Sequence, residues 1–252
     1  MKRAALHILV SVFLLSAAQP LLAQDTVIDG VRVIFSAKKQ MFPLRWRSKN
    51  TAAEAVVLTA SQQPRACRIL RSAMAKYPPG LPDRYLNRIY VSKSLHFYGY
   101  PYGGTYAHKT LYLTLDEENT VHQDPFLEER FHHELSSILW KENLRNLDLE
   151  KWQSFNPQGF VYGEGGLDAI RSGIASMEID PGYFDIGFIN RYAMTEIEQD
   201  INVMAQNLFM GGPRFWEIVD SKPAIRGKVF LLIGFYHSLD PGFTEEFFRS
   251  LR

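Results

Sequence analysis

Apolar positions recur along this chain with two different periods, and the change from one to the other organises it. Thr26 to Phe35 is rich in Val and Ile on both sides of Asp29-Gly30, the pattern of an early strand or hairpin. Between Pro64 and Tyr77 the spacing turns helical, with Ala66, Ile69, Leu70, Ala73 and Met74 on one face, and Pro78-Pro79-Gly80 ends that helix. Three short β-branched or aromatic runs follow: Arg88 to Val91, Leu95 to Tyr100, and Leu111 to Leu115 after a Gly103-Gly104 turn. They predict a small sheet.

From Pro125 the helical period returns. Leu127, Phe131, Leu135, Ile138 and Leu139 form one apolar face, Asp124 offers an N-cap, and Glu128 and Glu129 suit the positive end of the helix dipole. Lys141 and Arg145 suit the other end, so the predicted helix runs to about Leu144. An irregular Gly-rich stretch from Phe155 to Gly166 precedes a second helix over Glu196 to Phe209, with Ile197, Ile201, Met204, Ala205 and Leu208 apolar. Gly211-Gly212-Pro213 closes it. Helical segments at Phe215 to Val219 and Lys228 to Ser238 and a short amphipathic tail complete an α+β pattern, a small N-terminal sheet followed by a mainly helical C-terminal half.

Composition narrows the class. A 46% hydrophobic, 13% aromatic and 22% charged chain can bury a sizeable core, and a formal charge of +1 gives no electrostatic case for nucleic acid or an anionic membrane surface. Lys2 and Arg3, the apolar run Leu6 to Ala18 and the small-residue end at Ala23 read as a secretory signal peptide, residues 1–23. That run is too short to span a bilayer, so residues 24–252 are expected as one domain in the periplasm or medium without stable membrane insertion. Cys67 is alone, which excludes an intramolecular disulfide.

The segment with chemical promise is Phe131-His132-His133-Glu134-Leu135-Ser136-Ser137. His133-Glu134 matches the first half of the HExxH zinc pattern, in which two His one helical turn apart aim at one ion and the Glu acts as general base. Ser137 occupies the place of the second His, and a neutral hydroxyl is a poor zinc ligand. On the structural reading His132 and His133 are hydrogen-bonded helix residues and Glu134 is a solvated carboxylate. His132 cannot substitute for the missing ligand, because neighbours on a helix project about 100° apart.

Further along, Gly187-Phe188, Tyr192-Ala193, Thr195 and then Glu198-Gln199-Asp200 follow the order seen in secreted zinc metallopeptidases of the zincin class, gluzincin type. The chain resembles that class over about residues 88–210, with Leu111-Tyr112-Leu113 as the strand before the His133-Glu134 helix. The resemblance implies a zincin-like fold, a bound zinc and a peptide or protein substrate. It further implies that His133 is the first ligand, Glu134 the general base and Glu198 the third ligand. Three positions depart from it: Ser137, Gln199 in place of an Asp, and Asn202 where an acid is common. His108, Tyr192, Asp200 and Glu196 remain candidates to complete a metal shell. The alternative is an inactive protein of that fold that binds a peptide or an envelope component, an expectation resting on Ser137.

Other motifs lean structural. Tyr98, Tyr100, Tyr102 and Tyr106 suit aromatic packing better than peptide capture by strand addition. Tyr162-Gly163-Glu164-Gly165-Gly166 lacks the Lys-Ser/Thr of a phosphate loop, and no Gly-x-Ser-x-Gly sequence offers a nucleophile.

Overall fold

The structure, a computed structural model, describes residues 25–115, 123–163, 165–173, 176 and 178–251, with the backbone alone at 123, 124, 166 and 167. The expected signal peptide and the Asp124 side chain therefore lie outside the described residues. The strands are β1 (Thr26–Ile28), β2 (Val31–Ile34), β3 (Glu54–Val57), β4 (Arg88–Phe97), β5 (Tyr100–Tyr102), β6 (Gly104–Ala107) and β7 (Thr110–Thr114). The helices are α1 (Gln63–Met74), α2 (Leu81–Tyr85), α3 (Gln123–Glu142), α4 (Leu149–Gln153), α5 (Gly166–Arg171), α6 (Ile197–Met210), α7 (Pro213–Ser221), α8 (Pro223–Leu239) and α9 (Glu245–Ser250).

The sheet has the order β1-β2-β4-β7-β6, with β3 and β5 paired to the distal part of β4. β2 and β7 run parallel to β4, while β1 and β6 are antiparallel to their neighbours. Side chains alternate across it: Leu111 and Leu113 enter the main core with the helices, and Tyr112 between them enters a smaller cluster with Phe42, Tyr90 and Phe97 on the other face.

β4 is one continuous strand where the sequence predicts two. The polar run Ser92-Lys93-Ser94 breaks the apolar pattern, but the backbone ladder continues through it because β3 pairs with this stretch on one side and β7 reaches Ser92 on the other. The Gly103-Gly104 segment, predicted as a turn, leads directly into β6 at the end of the sheet order. Among the described residues, no helix is long and apolar enough to cross a membrane.

α3 is the central element. It starts at Gln123, ahead of the position the Asp124-Pro125 signal marks, and its predicted face of Leu127, Phe131, Leu135, Ile138 and Leu139 is fully buried against the sheet. Its opposite side is covered as well, because α6 packs along it. Residues 131–140 are buried without exception. The polar residues of that turn, His132, His133, Glu134, Ser136 and Ser137, thus cannot rely on bulk water, and buried polar groups are costly unless they find partners inside the protein.

Candidate functional site

A cleft of about 290 Å³ opens between β6, α3 and the first turns of α6. Its wall includes Gly104 and Tyr106 from the sheet edge, Arg130, His133, Glu134 and Ser137 from α3, Tyr192, and Glu198, Gln199 and Asn202 from α6. The structure thus brings His133, Glu134, Ser137, Tyr192 and Glu198 to one cavity. It sends two other candidates elsewhere. His108 is exposed at the turn joining β6 to β7, with a left-handed φ of 51°, and Asp200 is fully buried on the other side of α6.

His133 is held at both ring nitrogens. Nδ1 lies 2.9 Å from Gln206 Oε1, and Nε2 lies 3.0 Å from Gln199 Oε1. Burial, reinforced by the positive charge of Arg130, pushes its pKa down to about 4, so the ring is neutral at physiological pH and carries one N–H. The single N–H donates to one of the two amides, and the other amide must turn an N–H toward the remaining ring nitrogen. A zinc-bound histidine commonly gives one nitrogen to a protein acceptor and the other to the metal. Here an amide takes the metal's place.

The same substitution of neutral for charged groups holds one turn further along. Asn202 Nδ2 donates to Ser137 Oγ at 2.6 Å, so the i+4 position on α3 is paired with α6 by a neutral hydrogen bond. Glu198, the candidate third ligand, points its carboxylate at other partners. Tyr106 OH donates to Oε1 at 2.7 Å and Lys141 Nζ sits 2.7 Å from Oε2, while Lys141 also donates to the Tyr106 hydroxyl.

Glu134 is buried rather than solvated, which corrects the structural reading of that residue. Desolvation raises its pKa to about 8, against the lowering effect of Arg130 and with a further push from Glu198. It is mainly a carboxylic acid at neutral pH. Gly104 makes room for it: a Cβ there would stand 3.1 Å from Glu134 Cγ and 3.2 Å from Oε1. His132 points away from the cleft, stacked on Phe209 and bonded through Nδ1 to Tyr77 OH at 2.9 Å.

Behind α6, Asp200 Oδ2 accepts from Trp152 Nε1, Tyr162 OH and Lys228 Nζ at 2.9, 2.8 and 2.8 Å. Lys228, fully buried on α8, also donates to Gly187 O at 2.9 Å and lies over the Phe188 ring at 3.8 Å. Sequence reasoning missed both Lys228, whose signal is a lone cation preceding the apolar run Val229 to Ile233, and Arg130, one helical turn before Glu134.

The tyrosines divide. Tyr98 and Tyr100 are exposed, Tyr102 packs edge-on against Phe97, and Tyr106 serves the Glu198 network.

No protein-family model and no curated protein sequence matches the chain. Its fold is similar to that of a solved structure from Bacteroides caccae described as a "putative zinc-binding metallo-peptidase", with a TM-score of 0.51 over 80% of this chain and 77% of that one. The two sequences are 15% identical, so the likeness is one of fold: this chain has a metallopeptidase-like, mixed α/β architecture.

The donors of the cleft do not fit a zinc ion. Catalytic zinc takes three anionic or imidazole ligands at about 2 Å. Gln199 engages His133 Nε2, Ser137 and Asn202 are neutral and joined by one hydrogen bond, and Glu198 is paired with Lys141. Among the described residues, no group of three or more His, Cys, Asp or Glu side chains is placed to hold a metal.

Proposed function

We propose that this chain is an exported peptide-binding protein built on a zincin-type metallopeptidase fold, whose cleft holds an extended segment without metal-dependent hydrolysis. The observation that carries this reading is the contact between Gln199 and His133 Nε2, which occupies the ring nitrogen a metal would need. The three departures from the metallopeptidase pattern support it together. Ser137, Gln199 and Asn202 are all neutral and all face this cleft, so these three positions supply a dication with neither a strong ligand nor a balancing charge. β6, at the end of the sheet order beside the cleft, offers a strand edge along which a peptide can add. Export rests on the Lys2-Arg3 start and the apolar run before Ala23.

The mature protein, purified without chelators, is expected to contain well under one zinc per chain, to hydrolyse no peptide, and to bind a fluorescent random hexapeptide pool by anisotropy. One zinc per chain together with peptide hydrolysis abolished by Glu134→Gln would overturn the reading. That outcome would favour the second one, a zinc hydrolase, for which the placement of Glu134 beside His133 with Glu198 on the same cleft speaks.

A further inference from the structure

Arg130 stands in the cleft wall with nothing in the peptide-binding reading to explain it. It lines this cavity and the adjoining groove of about 450 Å³, which also contains Lys93, His96 and Phe126. Its guanidinium lies over the Phe126 ring at 4.9 Å, and Nε is buried without a hydrogen-bond acceptor among the described residues. The backbone is shaped around it. A Cβ at Gly103 would stand 2.7 Å from Phe126 Cζ and 2.8 Å from Arg130 Nε, so the absence of a side chain there lets both groups lie against the backbone.

With the guanidinium laid over the Phe126 ring, the two terminal nitrogens, for which no hydrogen bond or ion pair to another described residue is seen, are the functional end of the group. The acids nearby do not neutralise it. Glu198 is matched by Lys141 at 2.7 Å. Among the described residues, Arg130 is therefore a cation on the cleft wall with no acid paired to it. A guanidinium so placed matches the planar, two-oxygen geometry of a carboxylate.

Resting on the peptide-binding reading, we propose that the cleft selects peptide segments bearing a carboxylate, and that Arg130 binds that carboxylate through its terminal nitrogens. The carboxylate comes either from a peptide C-terminus or from an acidic side chain, and three small probes separate these sources: N-acetylalanylphenylalanine, its C-terminal amide, and N-acetylaspartylphenylalanine amide.

The readout is the Arg130 Nε–H resonance of the full mature protein, identified by its loss in Arg130→Lys, followed together with the ring signals of Tyr102 and Tyr192. At least one acid probe is expected to shift the Arg130 signal saturably and to bind about tenfold or more tightly than the neutral amide, the effect of one charge-assisted hydrogen bond. Which acid does so identifies the source. Equal binding of the neutral amide, shifting the tyrosines and leaving Arg130 unmoved, would overturn the role of Arg130 while leaving the cleft a peptide site. Failure of all three probes and of the hexapeptide pool would overturn both. The comparison among probes is made on the native protein, so it stands even where Arg130→Lys folds poorly; where it folds, the preference for the acid is expected to fall.

Discussion

Glu134→Gln tests the electrostatics of the cleft most directly, because the substitution keeps the shape of the side chain and removes its titration. In the folded protein burial raises the Glu134 pKa from 4.5 to about 8. The sign follows from proton counts: between those values the unfolded chain has released its proton while the folded chain keeps it. Stability contributed by this group is therefore full below pH 4.5 and is lost as the pH rises toward 8. At pH 7 the difference covers 2.5 pH units, which at 1.36 kcal/mol per unit gives about 3 kcal/mol. The glutamine variant escapes that loss. Measured by urea denaturation, parent and variant should be nearly equally stable at pH 4.5, and the variant should be about 3 kcal/mol more stable at pH 7. In thermal melts of a domain this size that is a difference of about 6–12 °C. His132 and His133, both lowered to about 4 by burial, make parent and variant alike less stable as the pH falls from 6.5 toward 4, and this cancels in the comparison. Parallel stability profiles for the two proteins from pH 4.5 to 8 would refute the reasoning.

Three further outcomes follow from other contacts. Lys228→Met should cost about 3–5 kcal/mol by leaving Asp200 buried without its cation, and Lys228→Met combined with Asp200→Asn should recover most of it; equal losses in the single and double variants by chemical denaturation would show that the pair is not coupled. Gly104→Ala should lower stability by about 1–3 kcal/mol, since the new methyl stands 3.2 Å from Leu113 Cδ2 as well as against Glu134, and an unchanged melting temperature would show the strand free to retreat. Ser137→His combined with Gln199→Glu restores two ligand types opposite His133 and should raise zinc affinity by several orders of magnitude in a calorimetric titration, whereas a parent that already binds zinc tightly would contradict the neutral network.

Much of the helical half was legible because its apolar stripes are regular: all five predicted core positions of α3 are buried, and α6 falls within a residue or so of its predicted bounds. What that stripe could not disclose is that the polar side of α3 is buried too. Periodicity records which face meets the first neighbour, and it is silent about α6 arriving on the other. For the same reason His133-Glu134 was visible as a dipeptide, while the pairing of His133 with Gln199 and of Ser137 with Asn202 was not. Those contacts join residues 66 and 65 positions apart, and only the rotation of α6 about its axis brings them together. Gln199 and Asn202 were noticed as departures from a pattern, and the structure gives the departures a common location. The sheet was harder to read, because β3, β5 and β6 are short strands held by pairing with neighbours rather than by any strong alternation of their own.

The placement of Asp200 has a consequence for how this protein can change. Within one turn of α6, Gln199 and Asn202 look into the cleft while Asp200 looks backward to Lys228, Trp152 and Tyr162. The helix is clamped from the rear, so its register and rotation are set by groups that no ligand touches. Its forward-facing residues are thereby released from holding the architecture together. A lineage, or an engineer, can rewrite the chemistry of that face one side chain at a time, from amide to carboxylate or back, while the scaffold stays in place.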